Sequence, residues 1–227
     1  MRSTPLILAG LLAAAVLPAQ TQNVAWAMDN SPTLGGGNAF PWGSDGIRYQ
    51  CIIPGSLFNN RPAVIQDILV AGKHASLSQG EVVYGDIEIL VGVTQLGSVT
   101  ANWTQNNPQP VTAYRGPLRV KYITGQWHGI GLPRSFVFLP KSPADNLCFE
   151  VIVWSVKDKG LPITTDNFYY PLTCSSTSPG GDLSRAYLYQ WVQKGGYPAA
   201  LTPTTSGGAG KLGFVLGDGN VVVVGTG

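Results

Sequence analysis

The chain has 227 residues, with 14 basic and 12 acidic side chains and only 11% of residues charged. So small and scattered a charge leaves no electrostatic footprint for nucleic acid or an anionic membrane surface, and excludes a nucleic-acid partner. The 29 glycines and 17 prolines follow no repeat period, and they punctuate short apolar runs rather than long Ala/Leu/Glu/Lys stretches, which is an all-β composition.

Met1-Arg2 and the apolar run Pro5–Val16 open the sequence, and Leu17-Pro18-Ala19 closes that run with a small residue. A basic start, a short apolar stretch and a small-residue exit predict a secretory signal over residues 1–19, cleaved after Ala19. The run is too short to cross a bilayer, which takes about 20 apolar residues. The expectation is a secreted, extracellular or cell-surface protein with a mature chain of roughly 205 residues and no membrane span, long enough for one domain with its own core. Residues 20–41 are polar and carry Ser31-Pro32 and Gly35-Gly36-Gly37. They read as an extended N-terminal arm that cannot bury enough apolar surface to order itself.

From residue 42 to 227 the pattern is one of short strands. Ile47, Tyr49 and Cys51 alternate onto one face, Val64–Val70 follows, and Ile87, Ile89, Val91 and Val93 share a face. Val99–Trp103, Leu118–Ile123 and Phe136–Leu139 come at hairpin-like intervals. The clearest strand is Leu147–Trp154, with Leu147, Phe149, Val151 and Val153 on one face and Cys148, Glu150, Ile152 and Trp154 on a second, partly covered one. Ala186–Val192, Leu212–Leu216 and Val221–Val224 complete the set, and Gly217-Asp218-Gly219-Asn220 predicts a tight hairpin between the last two. About ten short antiparallel strands without helices predict a single β-sandwich or jelly-roll-like domain.

The motifs Asn38-Ala39-Phe40-Pro41, Arg48-Tyr49-Gln50, Ser56-Leu57-Phe58, Asp86–Val93 with Thr94, Leu132-Pro133-Arg134-Ser135-Phe136, Asp145-Asn146-Leu147 and Ser184-Arg185-Ala186-Tyr187 resemble a group of secreted bacterial β-sandwich proteins, many of which carry a PEP-CTERM sorting tail. No such tail is among the residues of this sequence, and its cysteines fall where that group would place ordinary strand residues. The resemblance implies a domain associated with the cell surface or extracellular matrix, and it transfers no catalytic residues.

Three cysteines, Cys51, Cys148 and Cys174, permit one disulfide in an exported chain, and the expected pair is Cys148–Cys174 across the turn at Lys157–Gly160. No CxxC pair or neighbouring histidine supports a zinc site, and no metal or cofactor is expected. There is no Gly-x-Ser-x-Gly elbow, and the only imidazoles, His74 and His128, fall in loop-like sequence and read as solvated. Asp86 and Glu88 share the strand face opposite Ile87 and Ile89 and read as solvated outward residues. Glu150, inside the most apolar strand, must be paired if buried. Asp218 and Asn220 read as turn residues rather than calcium ligands.

The remaining binding candidate is Tyr187, Tyr189 and Trp191, which alternate on one strand. They form either part of the core or a flat ladder that stacks on sugar rings. The leading expectation is a non-enzymatic structural protein that self-assembles into fibres through its terminal strands, the uncharged β-branched Val221–Val224 being an open invitation to another strand. The alternative is an extracellular carbohydrate-binding module that contacts polysaccharide through the aromatic face.

Overall fold

The computed structural model describes residues 46–71, 79–123, 127–158, 184–188, 201–207 and 212–224. The elements in chain order are β1 (Ile47–Ile53), a 3-10 turn (Gly55–Phe58), β2 (Ala63–Ala71), β3 (Gln79–Thr94), α1 (Trp103–Asn106), β4 (Val111–Ile123), β5 (Trp127–Gly129), β6 (Phe136–Phe138), β7 (Asn146–Asp158), β8 (Ser184–Leu188), β9 (Thr204–Gly207), β10 (Leu212–Leu216) and β11 (Val221–Val224). They form a six-stranded sheet in the order β4-β3-β7-β1-β8-β9 and a five-stranded sheet in the order β11-β10-β2-β5, with β6 also on β2. Every pairing is antiparallel. The expected β-sandwich is the fold.

Alternation places the core. Ile47, Tyr49, Cys51 and Ile53 of β1, Leu147, Phe149, Val151 and Val153 of β7, and Ile87, Ile89 and Val91 of β3 all point inward and are buried. They meet Ile65, Ile68, Val70, Leu212 and Phe214 from the other sheet. The two layers are joined by rings, since Phe149 meets Phe214 edge-on at 6.1 Å and Phe58 lies 5.8 Å from Phe214 and 5.2 Å from Phe138. Aromatic pairs at such distances add to the burial that holds the sheets together.

Three sequence expectations change. Val99–Trp103 is not a strand. Asn102 accepts a hydrogen bond from the Gln105 amide at 3.0 Å and caps α1 instead, as short polar side chains do at helix starts. His128 is not in a loop, because it lies in β5 opposite Val70. Glu88 is not solvated, and its partner is described below. The β10–β11 hairpin forms as expected, with Gly219 at φ 84° and Asp218 accepting from the Asn220 amide at 3.0 Å. Residues 1–45, including the expected signal and arm, lie outside the described residues. No helix among the described residues is long and apolar enough to cross a membrane.

Candidate functional site

Polar chemistry concentrates on the outer face of the six-stranded sheet, where the side chains of β1, β3 and β7 that turn away from the core come into line. Register sets Gln50 opposite Glu150 and Arg48 opposite Ile152, so Arg48 reaches Glu150 on the diagonal. Its Nε and guanidinium NH2 lie 2.6 and 2.5 Å from one carboxylate oxygen. The other oxygen accepts from Gln50 Nε2 at 2.8 Å and Asn107 Nδ2 at 3.0 Å. Glu150 is 1% exposed, and a carboxylate so buried is tolerable only when paired and fully hydrogen-bonded.

The same network straps the segment from Val99 to Asn107 onto the sheet. Asn106 Nδ2 donates to Gln50 Oε1 at 3.0 Å, Gln50 Nε2 also reaches the Trp103 carbonyl, and Trp103 Nε1 donates to the Leu201 carbonyl at 2.7 Å. Trp103 packs with Ile52, Val99, Ala186 and Leu188, and the Arg48 guanidinium lies 4.5 Å from its ring centroid. Gly92 is required beneath the strap, because a Cβ there would stand 1.9 Å from Asn107 Oδ1. Glu150 is therefore a structural anchor, and the expected pairing is found.

A second Arg–Trp–Glu group stands on the same face at the β4 side. Glu88 faces Arg115 across the β3–β4 ladder. Arg115 donates to Glu88 at 3.1 Å, makes a looser 3.6 Å contact with Asp86, and lies 5.2 Å from the Trp154 ring centroid. Thr112 supports Glu88 at 3.4 Å. This corrects the reading of Asp86 and Glu88 as simple solvated residues, since β4 brings a cation over both. Unlike the first group, it is open at its rim: the Arg115 and Asp86 side chains are 52% and 38% exposed, while the Glu88 side chain is 11% exposed.

The backbone beneath that open group is irregular. β3 carries an extra residue against β4 between Tyr84 and Ile87, and β7 carries Trp154 as an extra residue between the Ile87 and Asp86 positions. Gly116 sits nearby at φ 138°. Bulges of this kind bend a strand and re-aim side chains, often beside functional sites.

The sheet edges form the other notable surface. β4 carries Arg115, Arg119, Lys121 and Pro117, and β9 is a short polar strand. The β5–β6 edge is broken between its two parts. There the Gly131 and Leu132 amides turn to the Asp67 carboxylate at 3.0 and 3.1 Å. Burial raises the Asp67 carboxyl above its ordinary value against the pull of those amides. Asp67 is the structural residue that sequence reading missed, although an acid inside the apolar run Val64–Val70 was its signal. β11 differs from these edges: it has four valines, no charge, no proline and an unshifted register with β10.

Of the sugar-stacking candidates, Tyr187 is half-buried, pairs with Tyr49 and packs against the main core, with the Arg185 guanidinium 5.2 Å from its ring. Tyr189 and Trp191 lie outside the described residues, as do His74 and Cys174. Cys148 is a buried thiol, so the expected Cys148–Cys174 bridge is not seen. Burial pushes that thiol well above its ordinary value, and the neighbouring Glu150 adds to the shift. Cys51 is also a buried thiol. It points to the core, whereas Cys148, opposite Ile52, points outward, so these two do not face each other. Among the described residues no group of three His, Cys, Asp or Glu side chains could hold a metal ion. The chain matches no family model, no curated protein and no solved structure.

Proposed function

We propose that this is a secreted, non-enzymatic structural protein of the cell surface or extracellular matrix, whose copies associate through terminal strands. The observation that carries the reading is β11, an edge strand of four consecutive valines with no charge, proline or register shift, whereas β4 carries charges and a proline, β9 is short and rich in hydroxyls, and the β5–β6 edge is interrupted. Natural sheets blunt exposed edges with such devices, and an edge lacking them accepts a further strand through main-chain hydrogen bonds. The polar sequence of residues 20–41, too poor in apolar side chains to form a core, supplies a segment of the right character to donate that strand. Donor and acceptor are different surfaces, and a head-to-tail contact between them propagates into a fibre unless its rotation closes a ring.

Two variants of the exported protein test the proposal in sedimentation. Val223→Lys places a charge on the accepting edge, and deletion of Thr21–Gly37 removes the donor. Each should abolish high-molecular-weight species while leaving the circular dichroism of a folded sandwich. If both folded variants sediment like the parent, association through terminal strands is wrong.

A further inference from the structure

The outer face of the six-stranded sheet carries the same trio twice: an arginine over a tryptophan ring, paired to a glutamate. Arg48, Trp103 and Glu150 form a closed trio that is saturated by Gln50 and Asn107 and roofed by the Val99–Asn107 strap. Arg115, Trp154 and Glu88 form the open one, with Asp86 added at its rim. The closed trio has a structural duty. The open trio has none of the same kind, yet bulges in β3 and β7 meet there and place Trp154 and Asp86 on the surface side of the sheet.

The chemistry of the group selects a ligand class. Two carboxylates and one guanidinium leave a formal charge of −1, which disfavours phosphate, sulfate and uronate. The cation between the carboxylates also occupies the place a metal would need. What remains is a half-buried indole beside two acceptors and one donor. A neutral sugar ring is complementary to that set: its C–H face rests on an aromatic plane, while a vicinal diol donates to a carboxylate and accepts from a guanidinium. Arg115 is anchored by one 3.1 Å hydrogen bond to the buried Glu88, and its 3.6 Å contact with Asp86 joins two exposed side chains, a kind of pair that is weak. It can slide from the indole towards Asp86 as a sugar arrives.

We propose that Trp154, Arg115, Asp86 and Glu88 form a binding subsite for a neutral saccharide. The site is separate from the β11 edge, so its occupancy and the association of copies are independent properties. The proposal places sugar recognition on β3, β4 and β7, away from the Tyr187 strand.

Affinity electrophoresis of the full exported chain tests it, with gels containing dextran, laminarin or galactomannan as neutral probes and alginate as the anionic comparison. The parent should be retarded in at least one neutral gel. Asp86→Asn and Trp154→Ala should each raise the apparent dissociation constant at least tenfold, whereas Arg134→Ala, on an exposed loop, should leave it unchanged. Asp86 is exposed, so its variant keeps the test decisive if Trp154→Ala fails to fold. Retardation in no neutral gel, retardation in alginate alone, or equal retardation of parent and Asp86→Asn would each overturn the proposal.

Discussion

Replacing Arg48 by methionine removes the cation from Glu150 while keeping an unbranched side chain over Trp103. The carboxylate is 1% exposed and the Arg48 side chain 13% exposed, so solvent cannot replace the lost partner without opening the Val99–Asn107 strap. Breaking one side of a buried pair costs about 3–5 kcal/mol, because a charge is left buried and uncompensated. Gln50 and Asn107 still donate to Glu150, which favours the lower part of that range. In a domain of this size the loss corresponds to a fall in melting temperature of roughly 6–20 °C. The companion variant Arg48→Met/Glu150→Leu removes both charges and should recover part of the loss, since apolar replacement of a buried pair is often neutral or stabilising, while the Asn107 amide left without its acceptor keeps the recovery incomplete. Urea unfolding followed by circular dichroism, run as a double-mutant cycle, measures the coupling. If Arg48→Met lies within about 1 kcal/mol of the parent, below the range expected for a buried pair, the pair does not anchor the strap. The same conclusion follows if the double variant is no more stable than Arg48→Met alone.

Gly92→Ala would drive a Cβ to 1.9 Å from Asn107 Oδ1, displacing Asn107 from Glu150. A loss of about 1–3 kcal/mol in the same urea assay is expected. For Asp145, the Lys141 amide foremost, with the Ser142 hydroxyl, the Gln95 side chain and the Ser142 amide, holds the carboxyl below its ordinary value. A lowered carboxyl stabilises the fold above its unfolded value near about pH 4, and that contribution disappears as pH falls through the folded value. Asp145→Asn should therefore be less stable than the parent at neutral pH, with the gap closing in acid, and a gap that stays constant across an acid titration contradicts this. Cys148, buried with its thiol pushed upward, should react with a thiol reagent only after unfolding. Rapid labelling of a peptide containing Cys148 in the native protein would show that its covering opens.

Much of the layer structure was legible in the sequence because strand alternation is a local property. Ile47, Tyr49 and Cys51, Ile87 to Val93, and Leu147 to Val153 each declared a buried face through spacing of two, and Gly217–Asn220 declared its hairpin through residues that accept positive φ. Alternation names a face but not the neighbour across it. Glu150 could be recognised as a residue needing a partner, yet Arg48 and Gln50 lie 102 and 100 positions away, and only the β1–β7 register joins them. The same limit hid the cation over Asp86 and Glu88, since it depends on Arg115 arriving from β4 with a bulge between. Val99–Trp103 looked like a strand by propensity, but Asn102 capping and the fit of Trp103 against Ile52 and Leu188 outweighed that weak preference. The sequence by itself determined which faces of the apolar strands would be inside. The tertiary structure decided which polar groups would meet, because a hydrogen bond between distant strands depends on register, and register is a property of the assembled sheet.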